Sequence, residues 1–418
     1  MEVIETTGRR SGQQSPAFHT YLAGFRNPSG DPVQVEENAG QHHIRHYIGE
    51  FWTSRQRQAS SLHEISYRAC FKPQLPGFFI DLLTQQGDTV YDPFAGRGTT
   101  AIEAGLRGRK VIANDANPLS RILTEPRFFP PSADAVAERL ETIPRGSDRA
   151  EIDLSMFYHP DTECEIVALR RFLLQRREEG TADAVDRWIA MVATNRLTGH
   201  SSGFFSVYTL PPNQAVSQKS QKRINQKRSQ VPEYRNTHQL ILRKTRSLIA
   251  GLTPEETGNL RRAGSDARFF TGDARETPAI APGSVRLTVT SPPFLDIVQY
   301  RDDNWLRCWF CGLDSASVGR TITMARTIAE WEGVMGKVFR ELFRITTPGG
   351  YVAFEVGEVR KMTIRLEEHV IPLGIAAGFL CEGALIHRQT FSKTSHIWGI
   401  GNNRSGTNTN RIVAFSRP

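Results

Sequence analysis

The sequence predicts an α/β fold: an open, mostly parallel sheet with helices on both faces, interrupted by a largely helical insertion. Short apolar runs recur along the chain as DTVYD, KVIAND, ARFFTGD, SVRLTVT, GYVAFEV, GALIHRQTF and RIVAFS. Each reads as a buried strand. Helical patterns separate several of them, the alternation expected of a layered sheet. Between about Pro130 and Gly264 the strand pattern stops and only helical spacing remains.

In chain order, residues 1–60 read as an irregular extension, since up to about Gln41 they are rich in Gly, Pro, Gln and charge without apolar periodicity. From Gly87, DTVYD, TTAIEAGLRG and KVIAND form a strand, helix, strand unit. Residues 131–264 hold ECEIVALRRFLLQRR, ADAVDRWIAMVATNRL and THQLILRKTRSLIAG, three helical patterns without a convincing strand. Further on, TIAEWEGVMGKVFRELFRI sets Ile328, Trp331, Met335, Val338, Phe339 and Leu342 on one helical face. Residues 61–130 and 265–418 therefore make one sheet domain around the insertion.

The chain has 418 residues with a formal net charge of +8 and a pI near 9.4, which suggests an acidic partner. The charge is concentrated. From Phe205 to Ala250 nine basic residues face one acid, Glu233, so this stretch equals the whole net charge. Its polar part, QAVSQKSQKRINQKRSQ, reads as a flexible basic loop or arm ordered by a partner. No run of 18 apolar residues exists and the N-terminus lacks a signal-peptide pattern, so the expected location is the cytoplasm. Five cysteines fit a reducing compartment, and the single C-x-x-C at Cys308 and Cys311 reads as core because a structural zinc needs four ligands. No metal is expected.

Chemistry enters at VYDPFAGRGTTAIEAG, where a strand ends at Asp92 and a glycine turn leads into a helix. Gly96 and Gly98 let the backbone turn sharply and approach a ligand at the helix N-terminus. With Ala101 they also satisfy the loose G-x-G-x-x-A dinucleotide pattern, which leaves a nicotinamide cofactor open. Asp115 ends the next strand, where a carboxylate can accept both hydroxyls of a ribose. Asp92 ahead of the glycines would repel a pyrophosphate but could receive the ammonium of an amino-acid moiety, as in S-adenosylmethionine.

The second signal is TSPPF, which follows the strand SVRLTVT at the sheet edge where ligands of such folds bind. Pro292 and Pro293 fix φ and lack N–H donors, so the carbonyls of the turn can face a pocket as acceptors. Ser291 adds a hydroxyl and Phe294 a flat apolar face. A planar, amino-bearing ring could stack on Phe294 and donate to Ser291 and the Pro292 carbonyl.

Together, DPFAGRGTT and TSPPF resemble the amino-methyltransferases of DNA, which use S-adenosylmethionine to methylate the exocyclic nitrogen of cytosine or adenine. Ser before the two prolines is typical of members acting on N4 of cytosine, and Asp or Asn there of N6-adenine members. FKPQLPGFF resembles the family's segment beside the methionine part of the cofactor, and TGDARE its adenine-contacting segment.

The resemblance implies a Rossmann-like methyltransferase fold with a seven-stranded sheet, and S-adenosylhomocysteine as by-product. The implied cofactor site comprises Lys72, Pro73, Asp92, Pro93, Phe94, Gly96, Gly98, Thr99, Thr100, Asp115, Asp273 and Ala274. The implied catalytic turn is Ser291, Pro292, Pro293 and Phe294. For the proton acceptor, Asp296 and Tyr300 lie close in sequence. The partner implied is duplex DNA, and a cognate restriction endonuclease would complete a restriction-modification pair. Lys219, Lys222, Arg223, Lys227 and Arg228 are then candidates for phosphate contacts, with the target base flipped out of the duplex.

Methylation at carbon 5 is excluded, because that chemistry uses a Pro-Cys nucleophile and no cysteine here follows a proline. An N6-adenine enzyme, an RNA amino-methyltransferase and a catalytically silent DNA-binding relative are the alternatives.

Overall fold

The computed structural model describes residues 16–27, 29–37, 44–52, 59–67, 70–144, 146–209, 216–293, 300–321, 325–356, 358–359, 364–388 and 410–418. Its strands are β1 (Gln34–Glu37), β2 (Arg45–Gly49), β3 (Thr89–Asp92), β4 (Lys110–Asp115), β5 (Arg268–Thr271), β6 (Val285–Thr290), β7 (Thr346–Val356), β8 (Glu358–Val359), β9 (Ile364–Arg365), β10 (Leu380–His387) and β11 (Asn410–Ser416). The helices are α1 (Pro16–Gly24), α2 (Gln74–Leu83), α3 (Thr99–Leu106), α4 (Leu119–Thr124), α5 (Ala133–Glu141), α6 (Pro160–Glu178), α7 (Ala184–Arg196), α8 (Gln218–Arg228), α9 (Thr237–Ile249), α10 (Pro254–Asp266), α11 (Tyr300–Cys311), α12 (Ser315–Thr321), α13 (Ile328–Ile345) and α14 (Leu366–Ala376).

The main sheet runs β1-β2-β10-β11-β7-β6-β3-β4-β5. From β7 to β5 every pairing is parallel, while β11 is antiparallel to both β7 and β10. The chain thus has the Rossmann-like α/β architecture with helices over both faces. Along β3, Val90 enters one core and Tyr91 the other; Ala353 and Phe354 divide the same way along β7. This period of two, with both faces buried, is why these strands read as unbroken apolar runs. On one face the α13 stripe of Trp331, Met335, Val338, Phe339 and Leu342 is fully covered.

Two expectations are corrected. Among the described residues the sheet has nine strands rather than seven, because part of the N-terminal 60 residues is ordered rather than irregular. β1 and β2 form an antiparallel hairpin, and β2 joins β10 in parallel register. Tyr47 and Ile48 are buried there, and Phe18 and Leu22 of α1 fill the adjoining core. A buried polar chain fixes this attachment: His19 Nδ1 and the Tyr47 hydroxyl are 2.5 Å apart, and His19 Nε2 lies 3.3 Å from Glu382 on β10. Strands of four and five residues are too short to show a period, and β10, which holds β2 in the sheet, lies more than 300 residues away in sequence.

The second correction concerns QAVSQKSQKRINQKRSQ, which contains a helix, α8, rather than a flexible loop. Ser217 caps its N-terminus by accepting from Ser220 N, and Ser229 ends it in the left-handed region at φ 48°. The buried face is built from amides instead of aliphatics. Gln221 is wholly buried and donates to the Tyr208 carbonyl at 2.9 Å, and Asn225 donates to the Met156 carbonyl at 2.7 Å. Gln, Lys and Arg are good helix formers, so the helix needs no apolar stripe and leaves none in the sequence.

The six helices α5 to α10 fall between β4 and β5. Their buried side chains, among them Trp188, Ile189, Ile241 and Leu260, share one hydrophobic cluster with Val90, Ala113 and Leu287 of the sheet. The inserted helices therefore extend the sheet's own core. Among the described residues no helix is long and apolar enough to cross a membrane.

Candidate active site

Five parallel strands end along one edge of the sheet, and each brings an oxygen-bearing side chain there. In spatial order these are Glu355 near the end of β7, Thr290 and Ser291 at the end of β6, Asp92 on β3, Asp115 on β4, and Asp273 just beyond β5. Asp92 is 1% exposed. Its Oδ1 accepts from Phe94 N at 3.1 Å and from the Thr290 hydroxyl at 2.6 Å, whereas Oδ2 is buried with no hydrogen-bond partner. Burial pushes its carboxyl up to about 7 despite those donors. An unpaired buried carboxylate oxygen is costly unless a ligand donates to it.

Asp115 holds the glycine loop. Its Oδ2 accepts from Gly96 N at 2.7 Å and its Oδ1 from Asn117 N at 2.8 Å. Burial raises this carboxyl to about 6. Gly96 and Gly98 both have positive φ, 52° and 74°, and a Cβ on Gly98 would clash with the Thr124 side chain. Thr99 and Thr100 are buried at the start of α3, where Thr100 donates to the Val289 carbonyl at 3.0 Å and so ties the helix to β6. Pro93 is buried and Phe94 half-buried beside them.

The segment before α2 forms the adjoining wall. Arg97, in the glycine loop, donates to the carbonyls of His63 at 3.1 Å, Ile65 at 3.0 Å and Phe71 at 3.4 Å. Arg127, fully buried with its pKa lowered to about 9 by desolvation, clamps the carbonyls of Leu123, Leu62 and Arg97. Lys72 and Pro73 follow at the entrance to α2, where burial lowers the Lys72 ammonium and Pro73 precedes the first helical residue. The Tyr67 hydroxyl accepts from Asn117 at 3.2 Å and its ring lies against Gly96.

At the proline turn, the Ser291 hydroxyl lies near enough to the Glu355 carboxylate to favour its charged form. The pairing follows from the sheet, since Thr290 stands opposite Phe354 in register. Glu355 is 9% exposed, and burial pushes it up to about 7 while Ser291 pulls the other way. The Trp331 indole donates to the Pro293 carbonyl at 3.1 Å, which fastens the turn to α13. Phe294 and Asp296 lie outside the described residues, as does the side chain of Tyr300.

Asp273 sits in a cleft with Arg275, Lys337 and Arg340, its carboxylate held by the Arg275 guanidinium at 2.8 Å; Ala274 is buried beside it. On α8, Lys219, Lys222, Arg223, Lys227 and Arg228 are all exposed. The first four fall on one helical face by their spacing, and Arg228 on the other, where its guanidinium lies 3.8 Å over the Tyr208 ring. Lys222 also reaches Asp153 at 3.1 Å. The Trp305 indole of α11 donates to the Val216 carbonyl at 3.3 Å, placing the start of α8 beside the helix that follows the proline turn. Cys308 and Cys311 are buried in α11, none of the five cysteines is in a disulfide, and no metal-type cluster occurs among the described residues.

Glu355, Thr290 and Arg97 were not singled out by sequence, and Trp331 only as part of the apolar face of α13. For Glu355 a signal existed: GYVAFEV is an apolar strand closing on a carboxylate, the same mark that identified Asp92 and Asp115.

The fold and this edge define a Rossmann-like protein with a ligand site at the carboxyl ends of its parallel strands. Residues 26–120 match a family model described as DNA methylase. Among curated proteins, the chain is 33% identical over 87 residues to the Type II methyltransferase M.MvaI of Kocuria varians, covering 20% of this chain and 19% of that protein. It is 38% identical over 71 residues to the Type II methyltransferase M.BsoBI of Geobacillus stearothermophilus, covering 16% and 14%. The matches thus span less than a fifth of those relatives. A solved geranyl diphosphate C-methyltransferase from Streptomyces coelicolor A3(2) aligns over 82% of this chain and 80% of its own, at 8% identity and a TM-score of 0.34. The sequence matches are thus to a DNA methylase model and to two Type II methyltransferases, each over only part of the chain.

Gly98→Ala combines a positive φ with the clash on Thr124 and should destabilise the protein by about 1–3 kcal/mol, measured by urea denaturation. A stability equal to wild type would contradict the geometry of the loop. Trp331→Phe keeps an aromatic ring and removes the donor to the Pro293 carbonyl, and should cost about 1 kcal/mol in urea denaturation; an unchanged stability would contradict that bond.

Proposed function

We propose that the chain transfers a methyl group from S-adenosylmethionine to the exocyclic N4 amino group of cytosine in duplex DNA, as the modifying enzyme of a restriction-modification pair. The observation that carries this reading is the S-P-P turn at the end of β6, where Thr290 pairs with Phe354 in register and so sets the Ser291 hydroxyl, with its lone pairs for an amino group, beside the strand of Glu355. The cofactor supplies an electrophilic methyl on a sulfonium sulfur.

The residues present fit such a cofactor. Asp92 Oδ2 offers an ammonium the buried acceptor it needs, and that cation would draw the carboxyl back below 7. Asp115 keeps spare lone pairs for ribose hydroxyls, Asp273 lies on the adenine side, and the paired glycines admit the ligand backbone. Lys72, Pro73, Pro93, Phe94, Thr99, Thr100 and Ala274 shape the wall.

The lone pair of the cytosine amino group is delocalised into its ring, which makes it a weak nucleophile. Ser291 Oγ and the Pro292 carbonyl, as acceptors of both amino hydrogens, would turn them from the ring plane and localise the pair, while Phe294 stacks on the ring. The methyl that a bound cofactor would supply there would pass to this nitrogen, a nitrogen–carbon bond forming as the sulfur–carbon bond breaks. The amino proton then passes to Ser291 Oγ as the Ser291 proton moves to Glu355, whose raised pKa suits a base near neutrality. The target base is flipped from the duplex, with its flanking phosphates held by the cations of α8.

Incubation with DNA and labelled S-adenosylmethionine should yield labelled N4-methylcytosine. Label in N6-methyladenine would reject the base assignment, and label in RNA alone would reject DNA as substrate. Since Glu355 acts as its carboxylate, turnover should rise with pH and level off above about 7. Glu355→Gln should abolish that rise and slow transfer roughly 10²–10⁴-fold; an unchanged pH profile would remove Glu355 as the acceptor. Replacing Lys219, Lys222, Arg223 and Lys227 with Gln should flatten the slope of log Kd against log salt by about 3 to 4. A retained slope would place the DNA elsewhere.

A further inference from the structure

Arg196 ends α7 and Arg243 lies on α9, and their guanidiniums converge on the turn that Phe204 N closes against the Ser201 carbonyl at 3.2 Å. A Cβ on Gly203 would lie 3.6 Å from Arg243 Nη2 and 3.9 Å from Arg196 Nη1, so both reach one point beside bare backbone. Phe204 supports them, with the Arg196 guanidinium 4.1 Å over its ring. Arg243 also donates to the Ser202 carbonyl at 3.4 Å. Ser201, Ser202 and Arg243 are exposed, so the point is open to a ligand.

The charge gathered there is unbalanced. Among the described residues neither guanidinium has an ion pair, and Glu64, the acid that acts on Arg196, is bonded to Lys244 at 2.6 Å. Burial together with the charges of Arg307 and Arg243 pulls Arg196 down to about 10. Like charges around a half-buried cation disfavour the empty site and favour an anion set among them.

Hydrogen bonds place this point beside the cofactor loop. Asn195, next to Arg196, accepts from Ser66 N at 2.7 Å, and Arg307 of α11 donates to the Ser66 carbonyl at 2.9 Å. The next residue is Tyr67, whose ring lies against Gly96. Asn195 Nδ2 is itself buried without a partner, an unmet donor at the same helix end. The end of α7 is therefore braced on the segment that backs the glycine loop.

We propose that Arg196 and Arg243, with the backbone at Gly203, form a cradle for one phosphodiester of the strand that carries the target base, an inference that rests on the DNA-acting function above. A flipped base turns about its own backbone, so a phosphate held beside it fixes where the base lands. Planar guanidinium forks match phosphate oxygens, and Gly203 leaves room where a side chain would stand.

The test replaces single phosphates around the target base with neutral methylphosphonates, in a duplex carrying the sequence that wild type methylates. At one position wild type should lose about tenfold in DNA affinity. Arg196→Gln combined with Arg243→Gln should lose about as much on the unmodified duplex and then show no further loss at that position. Gly203→Asp, whose Cβ meets only contacts of 3.5 Å or more, sets a carboxylate between the two guanidiniums. It should erase the same penalty with both arginines present, so the reading survives if the arginine pair fails to fold. Variants penalised at that position as wild type is would overturn the cradle. If wild type neither binds nor methylates the duplex, the parent function falls and the cradle with it. Normal methylation with no methylphosphonate penalty at any position overturns the cradle alone.

Discussion

A carboxylate buried at the end of a strand must find donors, and in this molecule that requirement organises the whole working edge. Asp92 takes Phe94 N and the Thr290 hydroxyl, Asp115 takes Gly96 N and Asn117 N, and Glu355 has the Ser291 hydroxyl beside it. The bonds tie β3 to β6 and β4 to the glycine loop, and β7 runs beside the proline turn. The donors only partly offset the burial, because all three carboxyls stay raised, to about 7, 6 and 7. An edge with this residual need for positive charge or proton donors is suited to a cationic ligand and to proton transfer.

Behind that edge the supports are cationic. Arg127 is a buried guanidinium that meets three backbone carbonyls. Hydrogen bonds to a charged group contribute roughly 1.5–3 kcal/mol each, which offsets much of its desolvation. Through the Arg97 carbonyl it fixes the residue that in turn holds His63, Ile65 and Phe71. The glycine loop and the segment before α2 thus move as one body, which is the condition for a preorganised ligand site.

Much of this was legible beforehand because the chemistry is local. DTVYD and KVIAND announce a buried strand with a terminal acid, FAGRGTT announces a turn that needs positive φ, and SPP announces a turn without N–H donors. The α13 stripe was legible for the same reason, since its period lies within one element. The N-terminal strands were hidden by their length, and α8 by a buried face made of Gln221 and Asn225 in place of aliphatic residues. Glu355 carried the same mark as Asp92, but its importance depends on which strand lies beside it.

The sequence alone determined the alternation of strands and helices, the glycine loop, the proline turn, and the location of the surplus charge within 46 residues. These follow from backbone sterics and short-range periodicity, which act over a few residues. Only the tertiary structure decided that β6 lies between β3 and β7, bringing Thr290 to Asp92 and Ser291 to Glu355 across gaps of 198 and 64 residues. It also decided that four of five candidate cations share one face of a helix while the fifth stacks on Tyr208. Strand order is set by the burial of both sheet faces at once, a condition on the whole chain that no local segment encodes.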